Sequence, residues 1–355
     1  MNSTIDIQIN RVSQSRIDQV DFDNIVFGSV YSDHMFVADY SDGEWKDFRI
    51  EPYAPLSMMP ASAVMHYGQS IFEGLKAYRT AEGDVQVFRP NDNAQRLNIS
   101  AQRMCIPELP EEIFMQGLDS LLKIDQAWVP SSPDTALYIR PYIFATDEYI
   151  GIRPSSSYRF IIFTCPVGAY YTAPVRVKIE EEYSRAAPGG TGFAKAAGNY
   201  AGSLYPAKKA QEQGYHQLIW TDPVEHKYVE ESGTMNVMFV IDGKLMTAAT
   251  GKTILAGITR NSVLTLAKEW GMEVVEGKIA VEEIVKAAKE GRLEEAFGTG
   301  TAATIAQIAT ISFRGTDYDL PEVENRKFSN KVLKTLDAIK CGSQEDTHGW
   351  IHRPF

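Results

Sequence analysis

Cysteine is scarce: Cys105, Cys165 and Cys341 are the only three in 355 residues, and no Cys-x-x-Cys pair occurs. So odd and scattered a set excludes a disulfide framework and a thiolate zinc site, and reads as free thiols. Histidine is sparse too, six in all without His-Glu-x-x-His spacing, so no metal is expected. Basic charge is in deficit, with 35 Lys+Arg against 46 Asp+Glu and a net charge of −11. That leaves no cationic stripe for phosphodiesters and excludes a nucleic-acid partner. No apolar run reaches membrane-spanning length, and residues 1–11 carry no signal-like apolar core. No membrane partner and a cytoplasmic location are therefore expected.

What is present is ordinary for a globular enzyme: 44% hydrophobic and 23% charged residues, in a chain long enough for two cores. Local patterns give the order of elements. Phe36–Tyr40 and Trp45–Ile50 flank Asp42-Gly43 and read as a hairpin. Pro90-Asn91-Asp92 opens a helix that turns Leu97, Ser100 and Met104 inward, with Arg96 and Arg103 on a shared face. Pro110-Glu111-Glu112 opens another, with Ile113, Phe114, Leu118, Leu121 and Leu122 on its apolar side. Residues 137–145 and 159–167 read as buried strands.

The character changes after Tyr171, and the stretch 173–188, which mixes a charged strand with breakers, is read as an interdomain linker. Beyond it come a helix over 201–213, a strand over 217–221, a hairpin over 237–246 turning on Asp242-Gly243, helices over 259–270 and 281–290, and a strand near 295–297. The expected organisation is therefore α/β (α+β) in two domains, residues 1–172 and 189–355, joined by that linker.

One lysine stands out. Lys195 lies in the small-residue run Phe193-Ala194-Lys195-Ala196-Ala197-Gly198-Asn199-Tyr200, with no acid within ten residues on either side. An amine kept from water and counter-ions loses proton affinity, as Schiff-base chemistry requires. Three loops suggest anion binding. Ala249-Thr250-Gly251-Lys252-Thr253 imitates a P-loop, but the required first glycine falls at Met246, so the pattern fails. Gly298-Thr299-Gly300-Thr301-Ala302-Ala303 imitates a dinucleotide fingerprint without the βαβ context, and is read as a backbone anion site at a helix start. Leu255-Ala256-Gly257-Ile258-Thr259 enters a helix whose first amides point at one anion. Two such loops, Arg96 and a reactive lysine together suggest pyridoxal phosphate.

These motifs carry a resemblance over nearly the whole length. The segments His66-Tyr67-Gly68, Phe72-Glu73-Gly74-Leu75-Lys76-Ala77, Leu137-Tyr138-Ile139-Arg140-Pro141, Cys165–Tyr170, Lys195–Tyr200 and Glu231-Ser232-Gly233-Thr234-Met235-Asn236 stand in one order. In that order the chain resembles the branched-chain aminotransferases, of pyridoxal-phosphate fold-type IV. The resemblance implies a small N-terminal domain and a larger C-terminal domain with pyridoxal 5′-phosphate between them. It implies that Lys195 carries the cofactor as a Schiff base and moves the proton, that Glu231 faces the pyridine nitrogen, and that Tyr200 bonds the phenolic oxygen. Glu230, the immediate neighbour, is set aside by alignment to Gly233–Asn236. Arg96, Ile258, Thr259 and Thr301 match the phosphate donors.

For substrate, the resemblance implies pocket walls at Phe27, Phe72, Tyr138, Tyr170 and Thr234, with Tyr67, Ile150 and Ile152 coming from the other subunit of a homodimer. Arg140 matches the arginine for the distal carboxylate of L-glutamate or 2-oxoglutarate. Tyr138 and the turn amides about Thr301, Ala302 and Ala303 match the α-carboxylate donors. The implied reaction exchanges the amino group of L-leucine, L-isoleucine or L-valine with 2-oxoglutarate, giving 2-oxo acids and L-glutamate by ping-pong kinetics. The chain departs from the family where Ala303-Thr304-Ile305-Ala306 replaces a redox Cys-x-x-Cys, and where Ala197 and Ala256 replace the usual glycine and proline. A D-amino-acid transaminase or a pyridoxal-dependent lyase is disfavoured by Leu-Tyr-x-Arg-Pro and Gly-Thr-Met-Asn. A non-catalytic binding protein is disfavoured by the intact Lys195, Tyr200, Glu231 and Arg96.

Overall fold

The computed structural model describes the chain except residues 1–3, Asp23, Pro133, Ala169 and Thr172, so part of the Cys165–Tyr170 motif lies outside the described residues. The chain divides into two compact units, one of Met1–Tyr170, Ala194–Ala197 and Ala338–Phe355, the other of Tyr171–Phe193 and Gly198–Asp337.

The first unit is built on one sheet of β1 (Gln8–Ile9), β2 (His34–Ser41), β3 (Glu44–Pro52), β4 (Ser70–Phe72), β5 (Leu75–Arg79), β6 (Val85–Phe88), β7 (Ala136–Ala145) and β8 (Tyr158–Val167). The order is β1-β3-β2-β8-β7-β5-β6, with β4 on β7. The β2–β3 hairpin turns on Asp42 and Gly43, both at positive φ, as a tight two-residue connection demands. Two helices cover one face, α2 (Pro90–Arg103) and α3 (Glu111–Ile124), after the short α1 (Ala63–Tyr67). The expected apolar stripe of α3 is buried against Phe36, Phe160 and Ile162. Each fully buried large side chain there contributes roughly 1.5–3 kcal/mol. The opposite face of β7 carries Tyr138, Arg140 and Tyr142, because side chains alternate along a strand.

The second unit has its own sheet: β9 (Val175–Ile179), β10 (Gln217–Thr221), β11 (Val229–Ser232), β12 (Met235–Ile241), β13 (Lys244–Ala248), β14 (Val274–Gly277), β15 (Leu293–Gly300), β16 (Thr304–Phe313) and β17 (Thr316–Asp319). The order is β11-β10-β9-β16-β15-β12-β13-β14, and a β11–β12 pairing closes the first six strands of that path into a ring. α5 (Leu204–Glu212), α6 (Ile258–Glu269) and α7 (Val281–Lys289) belong to this unit, while α4 (Ala197–Ala201) and α8 (Phe328–Lys340) span the junctions. Helices segregated from mostly antiparallel sheets fit the expected α+β class.

Three expectations need correction. The stretch 173–188 is not simply a linker: Val175, Val177 and Ile179 alternate inward on β9, which pairs with β10 and β16 in mid-sheet. The boundaries also differ from 1–172 and 189–355. The first unit takes back Ala194–Ala197, where Ala196 bridges Ile71, and the C-terminal residues, where β18 (Ile351–His352) pairs with β6. Finally, the helix expected over 201–213 begins only at Leu204, since Gly202 and Ser203 separate it from α4. Among the described residues no helix is long and apolar enough to cross a membrane.

Candidate active site

In the first unit the backbone of Lys195 is fixed on both sides. Its amide donates to Ser100 Oγ at 2.9 Å, and its carbonyl accepts the Phe72 amide at 3.1 Å. Ser100 is presented by α2 and Phe72 by β4, so helix and sheet edge together hold the lysine. The half-buried side chain places Nζ 4.6 Å from the Phe72 ring centroid.

The Arg140 guanidinium lies 4.7 Å from the same ring and 5.3 Å from that of Tyr138, whose hydroxyl accepts Arg140 Nη2 at 3.0 Å. Arg140 Nε is buried without a hydrogen-bond partner. Phe27 meets Tyr138 and Tyr170 edge-on, with centroids 5.1 and 5.0 Å apart. Gly74 lets Tyr138 close in: a Cβ there would stand 2.1 Å from the hydroxyl. The structure thus joins Phe27, Phe72, Tyr138, Arg140, Tyr170 and Lys195 into one aromatic and cationic wall. Cys165 pairs with Tyr138 across the β7–β8 ladder, and burial pushes its thiol up to about 11, so it is a poor nucleophile there.

Arg96 is otherwise engaged. Its Nε and Nη2 fork onto the two oxygens of Glu73 at 2.8 and 2.7 Å, and the glutamate is wholly buried. Tyr67, Ile150 and Ile152 are exposed, Ile152 by 94%.

The second unit holds the other expected residues. Glu231, on β11, is buried, and its Oε1 accepts the Leu255 amide at 2.8 Å and Asn236 Nδ2 at 3.4 Å. Its Oε2 lies 3.0 Å from Arg185 Nε, an ion pair whose N–H is not aimed along the hydrogen-bond line. Glu230 faces elsewhere: Thr253 Oγ1 donates to its Oε1 at 2.5 Å, and its other oxygen is buried without a partner. Burial pushes Glu230 above the usual carboxylate range, against the Thr253 hydroxyl and the Arg185 charge.

Ile258 and Thr259 open α6 after an extended Gly257, with no side-chain cap. A Cβ at Gly257 would stand 2.0 Å from Asn236 Oδ1, so only glycine fits. Tyr200 is half-buried on α4, and Thr234 is exposed between β11 and β12. Thr301, Ala302 and Ala303 form the turn of the antiparallel β15–β16 hairpin. The expected helix start at Gly298–Ala303 is therefore wrong: the small residues serve a tight strand reversal. Thr299 Oγ1 is buried beside it without a partner.

The amino-transferase class IV family model matches residues 70–311. The chain belongs to that family. This aminotransferase is 45% identical over 351 residues to branched-chain-amino-acid aminotransferase 2 of Bacillus subtilis (strain 168), covering 98% of this chain and 96% of that one. It is 43% identical over 336 residues to the branched-chain-amino-acid aminotransferase of Mycolicibacterium smegmatis, covering 92% and 91%. Its fold is similar to the crystal structure of the branched-chain aminotransferase of Thermoproteus uzoniensis with norvaline. The TM-score is 0.75 at 27% identity, over 91% of this chain and 100% of that one.

Three residues of this aminotransferase escaped the sequence reading. Glu73 stood in a quoted motif without a role, and its partner is 23 residues away. Asn236 stood in a quoted motif without a role. Arg185 lay in the supposed linker, where nothing local distinguished it.

Proposed function

We propose that this aminotransferase is a pyridoxal-phosphate-dependent branched-chain-amino-acid transaminase, moving the amino group between L-leucine, L-isoleucine or L-valine and 2-oxoglutarate. One ring carries the reading: Phe72 has the Lys195 amine 4.6 Å and the Arg140 guanidinium 4.7 Å from its centroid. An amine fit for covalent and proton-transfer chemistry stands beside a cation fit for a carboxylate, on a wall otherwise made of rings. The rings accept a branched aliphatic side chain, and the arginine accepts the second carboxylate of glutamate.

The donor set fits pyridoxal 5′-phosphate. The start of α6 at Gly257, Ile258 and Thr259 suits a phosphate, Thr299 Oγ1 is a buried hydroxyl in need of a partner, and Glu231 is a buried carboxylate suited to a ring N–H. Arg96, Ile258, Thr259 and Thr301 would hold the phosphate, Tyr200 the phenolic oxygen and Glu231 the ring nitrogen. When bound, the cofactor supplies an electron sink for the pair left on the substrate α-carbon. Lys195 holds the cofactor and, once released, takes the proton from that α-carbon. Glu231 keeps a proton on the ring nitrogen. Tyr138, with the amides of Thr301, Ala302 and Ala303, orients the α-carboxylate.

Thr234 would also meet the substrate. Tyr67, Ile150 and Ile152, exposed here, are the residues a second copy contributes in a cytoplasmic homodimer. The test is initial rates with 2-oxoglutarate over a panel of amino donors. L-leucine, L-isoleucine and L-valine should turn over with parallel lines in double-reciprocal plots, and D-leucine should not. Equal rates with D-leucine, or none with any branched donor, would overturn the assignment.

A further inference from the structure

Arg185 binds two backbone carbonyls and one carboxylate. Its Nη2 donates to the carbonyls of Gly192, at 3.1 Å, and Thr253, while its Nε lies 3.0 Å from Glu231 Oε2. The side chain is nine-tenths buried. Its reach spans three pieces of the second unit: the segment before Phe193, strand β11, and the loop that runs through Leu255 into α6. The same loop returns the contact, since the Leu255 amide donates to Glu231 Oε1 at 2.8 Å. One arginine thus ties the Glu231 carboxylate to the loop that leads to Ile258 and Thr259.

Two acids compete for this one cation, and geometry divides them. Successive residues on a strand point to opposite faces, so Glu231 meets Arg185 while Glu230 turns to Thr253. The charged and titratable groups facing Glu230 are Arg185, Glu231 and Asp222. Burial pushes Glu230 up, which reduces its claim on the arginine.

We propose that Arg185 is a positioning residue that keeps Glu231 ionised and aimed, so that the shared proton rests on the cofactor's ring nitrogen and not on the carboxylate. The proposal rests on the pyridoxal phosphate reading above. A buried carboxylate without a counter-charge takes up a proton readily, so loss of Arg185 would move the proton from ring nitrogen to Glu231. A neutral ring is a weaker electron sink, and the loss should fall on kcat and not on KM.

The experiment is nitrogen NMR of holoenzyme reconstituted with ring-15N pyridoxal phosphate, in wild type, Arg185→Gln and Arg185→Lys, at slightly alkaline pH. Glutamine keeps a donor for the carbonyls and loses the charge; lysine keeps the charge and loses the fork. The expected result is a protonated ring nitrogen in wild type and Arg185→Lys, and an unprotonated one in Arg185→Gln. With it should come a kcat about ten-fold lower or more, one pKa unit being worth that factor, at little change in KM. A protonated nitrogen in Arg185→Gln overturns the proposal. Should that variant not fold, an unprotonated nitrogen in wild type overturns it unaided, and a protonated one that Arg185→Lys retains supports it. If wild type binds no pyridoxal phosphate, it is the cofactor reading that has failed.

Discussion

Lys195 is positioned through its backbone. Ser100 Oγ and the Phe72 amide grip the two sides of its peptide, so its root is fixed between helix and sheet edge. Arg140 is the complementary cation, with a buried Nε that lacks a partner. Replacing it by methionine keeps the packing on Phe72 and Tyr138 but removes a charged donor. The expected result is a KM for 2-oxoglutarate raised about 10- to 100-fold, the worth of one charge-assisted hydrogen bond, with the KM for leucine little changed. Initial-rate kinetics with both substrates check it, and equal effects on the two would contradict the role. What the sequence offered at this scale was uneven. Lys195 was legible because small residues and absent acids surround it in the chain itself. Phe27 and Tyr170 were not, since an aromatic chosen from 17 tyrosines and 16 phenylalanines carries no local mark of the pocket it lines.

At the level of elements, the legible parts were those with local causes. Asp-Gly turns set both expected hairpins, and an apolar stripe at helical spacing set α3. Strand β9 was legible as a charged strand, but the proline and glycine breakers about it concealed its place in mid-sheet. The turn at Thr301–Ala303 was misread because glycine and alanine suit a strand reversal as well as a helix start. The loop into α6 gives a test at this scale. Gly257→Ala forces a Cβ against Asn236 Oδ1, and overpacking of this kind costs about 1–3 kcal/mol. Because Asn236 also bonds the Leu255 carbonyl, the strain should reach the helix start. Denaturant unfolding should show the lost stability, and equilibrium titration a weaker hold on pyridoxal phosphate. Unchanged cofactor affinity would separate this loop from the phosphate.

Over the whole molecule, stability should depend on pH through depressed carboxyl groups. Burial raises Asp222, but amides of Glu225, Tyr228, Lys227 and Val224 outweigh it and lower the group to about 2. Asp33 and Asp147 are also lowered, burial again being overcome by hydrogen bonds, from Ser15 and Arg16 in one and Ser155 and Ser156 in the other. A carboxyl whose folded pKa lies below its unfolded value stabilises the fold above the unfolded value, and that contribution is lost as pH falls through the folded value. The apoprotein should therefore hold its stability from neutrality down to about pH 5 and lose it progressively below about pH 4. Asp222→Asn should be less stable than wild type at neutral pH, with the difference closing near the pH where Asp222 itself protonates. Urea unfolding across that range measures both, and a constant difference down to the lowest pH would contradict the assignment.

Lys195 alone among the lysines should carry the cofactor. Borohydride reduction of the holoenzyme, followed by digestion and mass spectrometry, tests it most directly. The phosphopyridoxyl mass should appear on the peptide holding Lys195 and be absent from every other lysine. The label on another lysine, or a reduced protein that retains none, would contradict it.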